Sequence, residues 1–203
     1  MSPRARAAAL ALAAVAAAAC AGRPLPPTPE VVAAARSAST LSARLKVSLR
    51  GPEVRARARV LLAFQRPDAL RLELPGPSGA RLIAVTRGGK LTAVFPTERA
   101  FYAGQATAEE LENVLGVALT PSEVMDVLVG AGSSRLKAYD ARWGPRLPRT
   151  IDATLPDGAR LKVTLEDAEA GVALLEAAFS EPAHDGYRAV DAAEARSLWG
   201  GGR

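Results

Sequence analysis

One cysteine and one histidine stand among the 203 residues. A single cysteine excludes an intrachain disulfide and any cysteine-cluster zinc site. A single histidine excludes two-histidine metal sites and leaves a serine–histidine–aspartate centre dependent on His184 alone. Aromatic residues are scarce at 4%, and there are two isoleucines and one asparagine. Alanine supplies 44 positions, so the 49% apolar content overstates the core that the chain can build. The long apolar runs of a membrane-spanning helix are missing too: the longest, Ala7–Ala19, has thirteen residues, short of the ~20 that cross a bilayer. What remains is a chain too apolar for disorder, with 15 prolines and 17 glycines to make turns.

Charge is unevenly spread. Residues 20–104 carry 14 basic and 5 acidic side chains, residues 105–203 carry 10 and 16, and the formal total is +5. The arginines lie along strand-like segments and aromatics are few, which argues against nucleic acid as a partner. The pattern reads as a solvated basic sheet face beside an acidic helical part, with anionic lipid headgroups as the second reading.

The N-terminus sets the compartment. Arg4 and Arg6 precede the apolar run, and small residues lead into Cys20, the layout of a secretory signal. Ala17-Ala18-Ala19-Cys20 resembles the lipobox of bacterial lipoproteins, with Ala17 where that family usually has leucine. The resemblance implies a signal peptide over 1–19, cleavage before Cys20 and lipid attachment there, by two or three acyl chains. Two lipid signals suffice for stable anchoring. Residues 20–30 follow as a proline-rich tether. Ala21 stands where an aspartate would retain a lipoprotein at the inner membrane by the enterobacterial sorting pattern, so the expected location is the outer membrane, facing the periplasm.

From residue 31 to 203 the chain reads as one domain, its tail from about 185 the least defined. A short helix over Glu30–Ser37 precedes LSARLKVSLR, where Leu41, Ala43, Leu45, Val47 and Leu49 alternate with Ser42, Arg44, Lys46, Ser48 and Arg50. After Gly51-Pro52 the alternation resumes, with Val54 to Phe64 opposing Arg55, Arg57 and Arg59. Further strands are expected at 69–75, 81–86, 90–96 and 98–104. Short Pro/Gly turns make residues 41–104 a six-strand antiparallel meander, wet on one face. Thr107–Glu110 and Thr120–Glu123 are capping boxes, the second with Pro121 at the first helical position, and Gly116 and Gly130 end the two helices. These helices either cap the open end of the sheet or roof a cavity. Strands return at 135–143, 149–155, 159–167 and 171–180, and a helix is expected over 191–199.

The segments RVLLAFQRPDALRLELPGPSGARLIAVT and YAGQATAEELENVLGVALTPSEVMDVLVGAG, within Ala58–Gly132, resemble the LolA/LolB-like family of lipoprotein carriers and outer-membrane receptors. Phe64, Arg71-Leu72, Pro75–Gly79, Tyr102, Leu115-Gly116, Pro121 and Leu128 carry the resemblance, and LPRTI and LLEAAFSEP extend it over roughly 150 residues. It implies a mainly β (α+β) fold, an antiparallel curved sheet or half-barrel with short helices as a lid, whose apolar concave face holds acyl chains. One-sided apolar strands in need of a cover point the same way. The candidate acyl-cavity residues are Leu62, Phe64, Leu70, Leu72, Leu74, Leu82, Phe95 and Phe101. The lid candidates are Leu111, Val114, Leu115, Val124 and Leu128. LolB-like receptors carry a protruding leucine in the Pro/Gly loop, implicated in delivery to the membrane. Here the loop is PGPSG and the position falls on Pro77.

The implied partners are acylated lipoproteins or another amphiphile, a periplasmic LolA-like carrier, and the membrane reached through the acyl chains on Cys20. No cofactor is implied. No enzyme chemistry is legible: His184 sits in EPAHDGY beside Asp185, the pattern of a solvated turn, and no glycine-rich loop opens a helix with lysine. The expected function is a lipid-anchored envelope protein that binds acyl chains, in a LolB-like role in outer-membrane lipoprotein localisation. The alternative is an anchored non-carrier domain of the same fold that binds a periplasmic protein.

Overall fold

The computed structural model describes residues 26–51 and 55–200. The expected signal peptide, Cys20 and the start of the expected tether lie outside them. Helix α1 (Pro29–Arg36) takes the tether's last residues, with Pro29 at its first turn and Thr28 as its cap. Strands β1 (Thr40–Arg50), β2 (Arg55–Gln65), β3 (Ala69–Gly76), β4 (Gly79–Arg87), β5 (Lys90–Phe95) and β6 (Ala100–Gln105) form the expected antiparallel meander. Helices α2 (Ala108–Leu115) and α3 (Pro121–Leu128) follow. After them come β7 (Ala138–Trp143), β8 (Pro148–Thr154), β9 (Arg160–Ala170), the two-residue β10 (Arg188–Ala189) and α4 (Ala192–Gly200).

The ten strands among the described residues join one open, curved sheet of order β10-β6-β5-β4-β3-β2-β1-β9-β8-β7. The mainly β half-barrel with short helices on its concave side is therefore the fold of this chain. Its closure is non-local: β1 pairs with β9 from Leu41↔Ala170 to Arg50↔Arg160, with a bulge at Arg44/Leu45. Alternation decides the faces. Leu41, Ala43, Leu45 and Leu49 of β1 are buried on the concave side, and Ser42, Arg44, Lys46 and Arg50 are exposed on the other.

The strand expected at 171–180 does not form. Its sequence neighbour β9 already has β1 on one edge and β8 on the other, so no backbone groups remain for a hairpin mate. Gly171, at φ 75°, turns the chain away. The segment instead crosses the convex face of β3–β6 with a 3-10 turn at Glu176–Phe179. Phe179 is buried there, Arg71 donates to the Ala178 carbonyl (3.1 Å), and Thr92 donates to Glu181 (3.2 Å).

The caps are those the sequence encodes, with one difference. Thr120 and Glu123 form the full reciprocal box at α3. At α2, Thr107 accepts from the Glu110 N–H (3.1 Å), but the Glu110 carboxylate takes the Tyr102 hydroxyl instead of the cap N–H. Burial raises the Glu123 carboxyl, yet bonds from the Thr120 N–H, Ser133 and the Thr120 hydroxyl, with Arg135 beside it, hold it below its ordinary value. A carboxylate depressed on folding adds stability above its unfolded pKa and loses it as pH falls through the folded value. Glu123→Gln should therefore be less stable than the parent at neutral pH, with the gap closing on acidification. Thermal melts taken down through the carboxylate range check this; a gap that stays constant would refute it.

Candidate functional site

The buried apolar residues form two clusters. One gathers β1, β2, β8 and β9 against α1 and α3, with Leu41, Phe64, Met125, Ile151 and Leu155 at its centre. The other gathers β4–β6 against α2 and α4, around Leu91, Phe95, Leu111 and Val114. Leu72 and Leu74 of β3 touch both.

Between the clusters lies an apolar cavity of about 140 Å³. Its floor is Leu45, Val47 and Leu49 of β1, Ala56, Ala58, Val60 and Leu62 of β2, Leu70, Leu72 and Leu74 of β3, Leu82 of β4, and Leu161 and Val163 of β9. Its roof is Leu111 and Leu115 of α2, the linking Val117 and Leu119, Val124, Val127 and Leu128 of α3, and Trp199 of α4. Among the described residues no charged side chain lines it. Val47, Ala56, Ala58, Leu72, Leu74, Val117 and Val124 are only half-buried and mark its open margin.

Three local devices fix the roof. Gly116 in the left-handed region (φ 73°) stops α2 and lets the chain turn towards α3. Trp199 donates from Nε1 to the Val114 carbonyl (2.6 Å), and Arg196 donates to the Glu112 carbonyl (2.6 Å), so α4 holds α2 at its C-terminal end. Tyr139 donates to the Val127 carbonyl (2.9 Å), and burial pushes its hydroxyl up to about 12. Tyr102 is pushed to the same value by burial and by Glu110. Both phenols stay neutral donors through the physiological range.

Of the eight cavity candidates, Leu62, Leu70, Leu72, Leu74 and Leu82 line the cavity. Phe64 and Phe95 share the concave face but are fully buried in the solid cores to either side. Phe101 is a correction: it faces the convex side and stacks on His184, ring centroids 4.1 Å apart. The Pro96–Arg99 turn pairs Phe95 with Ala100 and Val94 with Phe101, and a one-residue shift of register exchanges the faces of a strand. Of the lid candidates, Leu111, Leu115, Val124 and Leu128 line the roof, whereas Val114 packs beneath α4. Pro77 sits exposed at the tip of the β3–β4 hairpin, between Gly76 and its partner Gly79. His184 lies outside the cavity, its Nδ1 against the Pro182 carbonyl (2.9 Å). Cys20 falls outside the described residues.

Trp199 was not among the candidates, nor were the liners of β1, β9 and the α2–α3 link. The signal for β1 was its clean alternation; for Trp199 it was only the apolar stripe of Ala192, Ala195 and Leu198-Trp199 in the tail helix. Among the described residues no acidic, histidine or cysteine cluster could hold a metal, and no helix is long and apolar enough to cross a membrane.

No family model matches the chain, and no curated protein matches it in sequence. Among solved structures it is similar to a crystal structure provisionally described as an outer membrane lipoprotein-sorting protein domain from Vibrio parahaemolyticus, at 7% identity and a TM-score of 0.44, over 74% of this chain and 94% of that one.

Proposed function

We propose that this protein is a lipid-anchored envelope protein that binds the acyl chains of lipoproteins, or of another amphiphile, between its sheet and its helices. The observation that carries the reading is the cavity itself: walls wholly of apolar side chains, at the seam of two otherwise solid cores. A binding site for an alkyl chain needs concavity and apolar walls and no catalytic group. A dry apolar void of about 150 Å³ takes a guest the size of benzene, so the cavity as it stands holds a segment of chain. A longer chain extends along the half-buried margin at Leu72, Leu74, Val47 and Val117, or displaces α2 and α3.

The lipobox-like Ala17–Cys20 run supports anchoring at Cys20, and the LolA/LolB-like sequence pattern supports a role in outer-membrane lipoprotein localisation with a periplasmic carrier as donor. The experiment is mass spectrometry of lipid extracted from the purified Cys20→Ala full chain, prepared without detergent. Copurifying acyl lipid, lost in a variant with the cavity filled, supports the reading; its absence, with no uptake of added fatty acid, favours the anchored domain that binds a periplasmic protein.

Delivery is a separate step from binding. Chains leaving a cavity for a bilayer cost ~0.8 kcal/mol for each methylene exposed to water, so a carrier gains from an apolar side chain that reaches the membrane. The Gly76–Gly79 tip offers only Pro77 and Ser78. Transfer of a labelled lipoprotein to liposomes should therefore be slow in the parent and faster in Pro77→Leu, with binding unchanged. Efficient transfer by the parent, unaltered by the substitution, would remove this loop from the delivery step.

A further inference from the structure

The convex face of β1, β2 and β9 is covered by cations that the fold does not explain. Register places Arg160, Arg50 and Arg55 side by side on three adjacent strands, with Lys162, Ser48 and Arg57 in the next row. Like charges directly opposite each other on a sheet are destabilising. Further along the strands the charge is answered: Arg44 pairs with Asp167 (3.0 Å) and Lys46 with Glu166 (2.5 Å). Arg50, Arg55, Arg57 and Arg160 are exposed and make no ion pair among the described residues. Even with Glu53 counted, residues 50–59 hold four arginines and one acid. Shallow grooves run between the side chains, one lined by Ser48, Arg50, Arg55 and Arg57, another by Lys46, Arg57, Arg59 and Lys162.

We infer that this patch docks the protein on an anionic lipid surface. Unanswered guanidinium groups side by side, with hydroxyl-bearing grooves between them, complement a two-dimensional array of phosphates, because each arginine can bond a phosphate through two N–H groups. Among the described residues no aromatic side chain lines these grooves to stack on a base, which separates the patch from a single-strand nucleic-acid site. The patch lies at the end of the sheet where the β1–β2 and β3–β4 hairpins turn, so docking through it brings the Pro77 tip towards the same surface. The inference does not depend on the cavity binding acyl chains.

The test is co-sedimentation of the full chain carrying Cys20→Ala with phosphatidylcholine vesicles and with equimolar phosphatidylcholine–phosphatidylglycerol vesicles. Neutral vesicles set the background from the apolar leader. The parent should prefer the anionic vesicles, and high salt should abolish that preference. Combined Arg50→Gln, Arg55→Gln and Arg57→Gln should lower it by roughly fivefold for each arginine removed, while thermal stability holds or rises. A control removes the same charge elsewhere, through Arg142→Gln, Arg146→Gln and Arg149→Gln on the β7–β8 edge, and should keep most of the preference. Equal losses in the two triple variants would reduce the effect to net charge and overturn the inference. So would a parent without anionic preference, or one that binds single-stranded RNA and ignores both vesicles.

Discussion

Leu72→Glu should abolish uptake of a fluorescent fatty-acyl probe and lower stability by about 2–3 kcal/mol in urea unfolding. Leu72, with Leu74, touches both cores, and its side chain lines the cavity from β3. A carboxylate there joins a half-buried margin whose lining is wholly apolar, so it either stays charged against an apolar wall or takes up a proton; both cost free energy. The loss of binding must be separated from loss of fold, and Ala58→Phe does that. Ala58 lines the same floor and is half-buried, so a phenyl group there fills space that is already empty. Ala58→Phe should keep the parent's stability within about 1 kcal/mol and still lose the probe. If both variants fold and bind normally, the cavity is not where the chain binds.

Phe64→Ala should show the reverse pattern. Phe64 is fully buried on the same concave face, one row along β2 from Leu62, but it belongs to the solid core beneath α1 and α3 and does not line the cavity. Truncation removes a large buried side chain and leaves a void, at a cost of about 3–5 kcal/mol. Probe affinity, measured where the variant is still folded, should change less than threefold. A Phe64→Ala protein that binds no probe would extend the site into that core.

The contrast between Leu62 and Phe64 marks how far the sequence could be read. Period-two alternation placed both on the concave face, because β1 and β2 alternate without a break and pair residue for residue from Thr40↔Gln65 to Arg50↔Arg55. Alternation says nothing about which inward side chains meet a partner across the interior, since that depends on where α2, α3 and α4 lie. The helices themselves were legible from Thr107, Thr120, Pro121 and Gly116, whose preferences act within one turn. Phe101 was misread because its face depends on the length of one turn, Pro96–Arg99. The segment 171–180 was misread because its composition suits a strand while the position beside β9 was already taken by residues far away in the chain. Local chemistry was readable; occupancy of space by distant segments was not.

The β1–β9 pairing also has a consequence for the order in which the chain acquires its structure. The meander from Thr40 to Gln105 is built from neighbouring hairpins and closes short loops, whereas β1 must wait for a strand that begins 110 residues after its own end, at Arg160. Long loops close slowly, because their entropy is lost before the contacts form. Until then β1 is an open edge with its N–H and C=O groups unpaired, a template for association with other chains. Arg44, Lys46 and Arg50 project from that edge strand, and charged side chains are what keep such edges apart. For a chain synthesised N-terminus first, the cations of β1 then have a role before any partner is met: they protect the unfinished half of the sheet from its own neighbours.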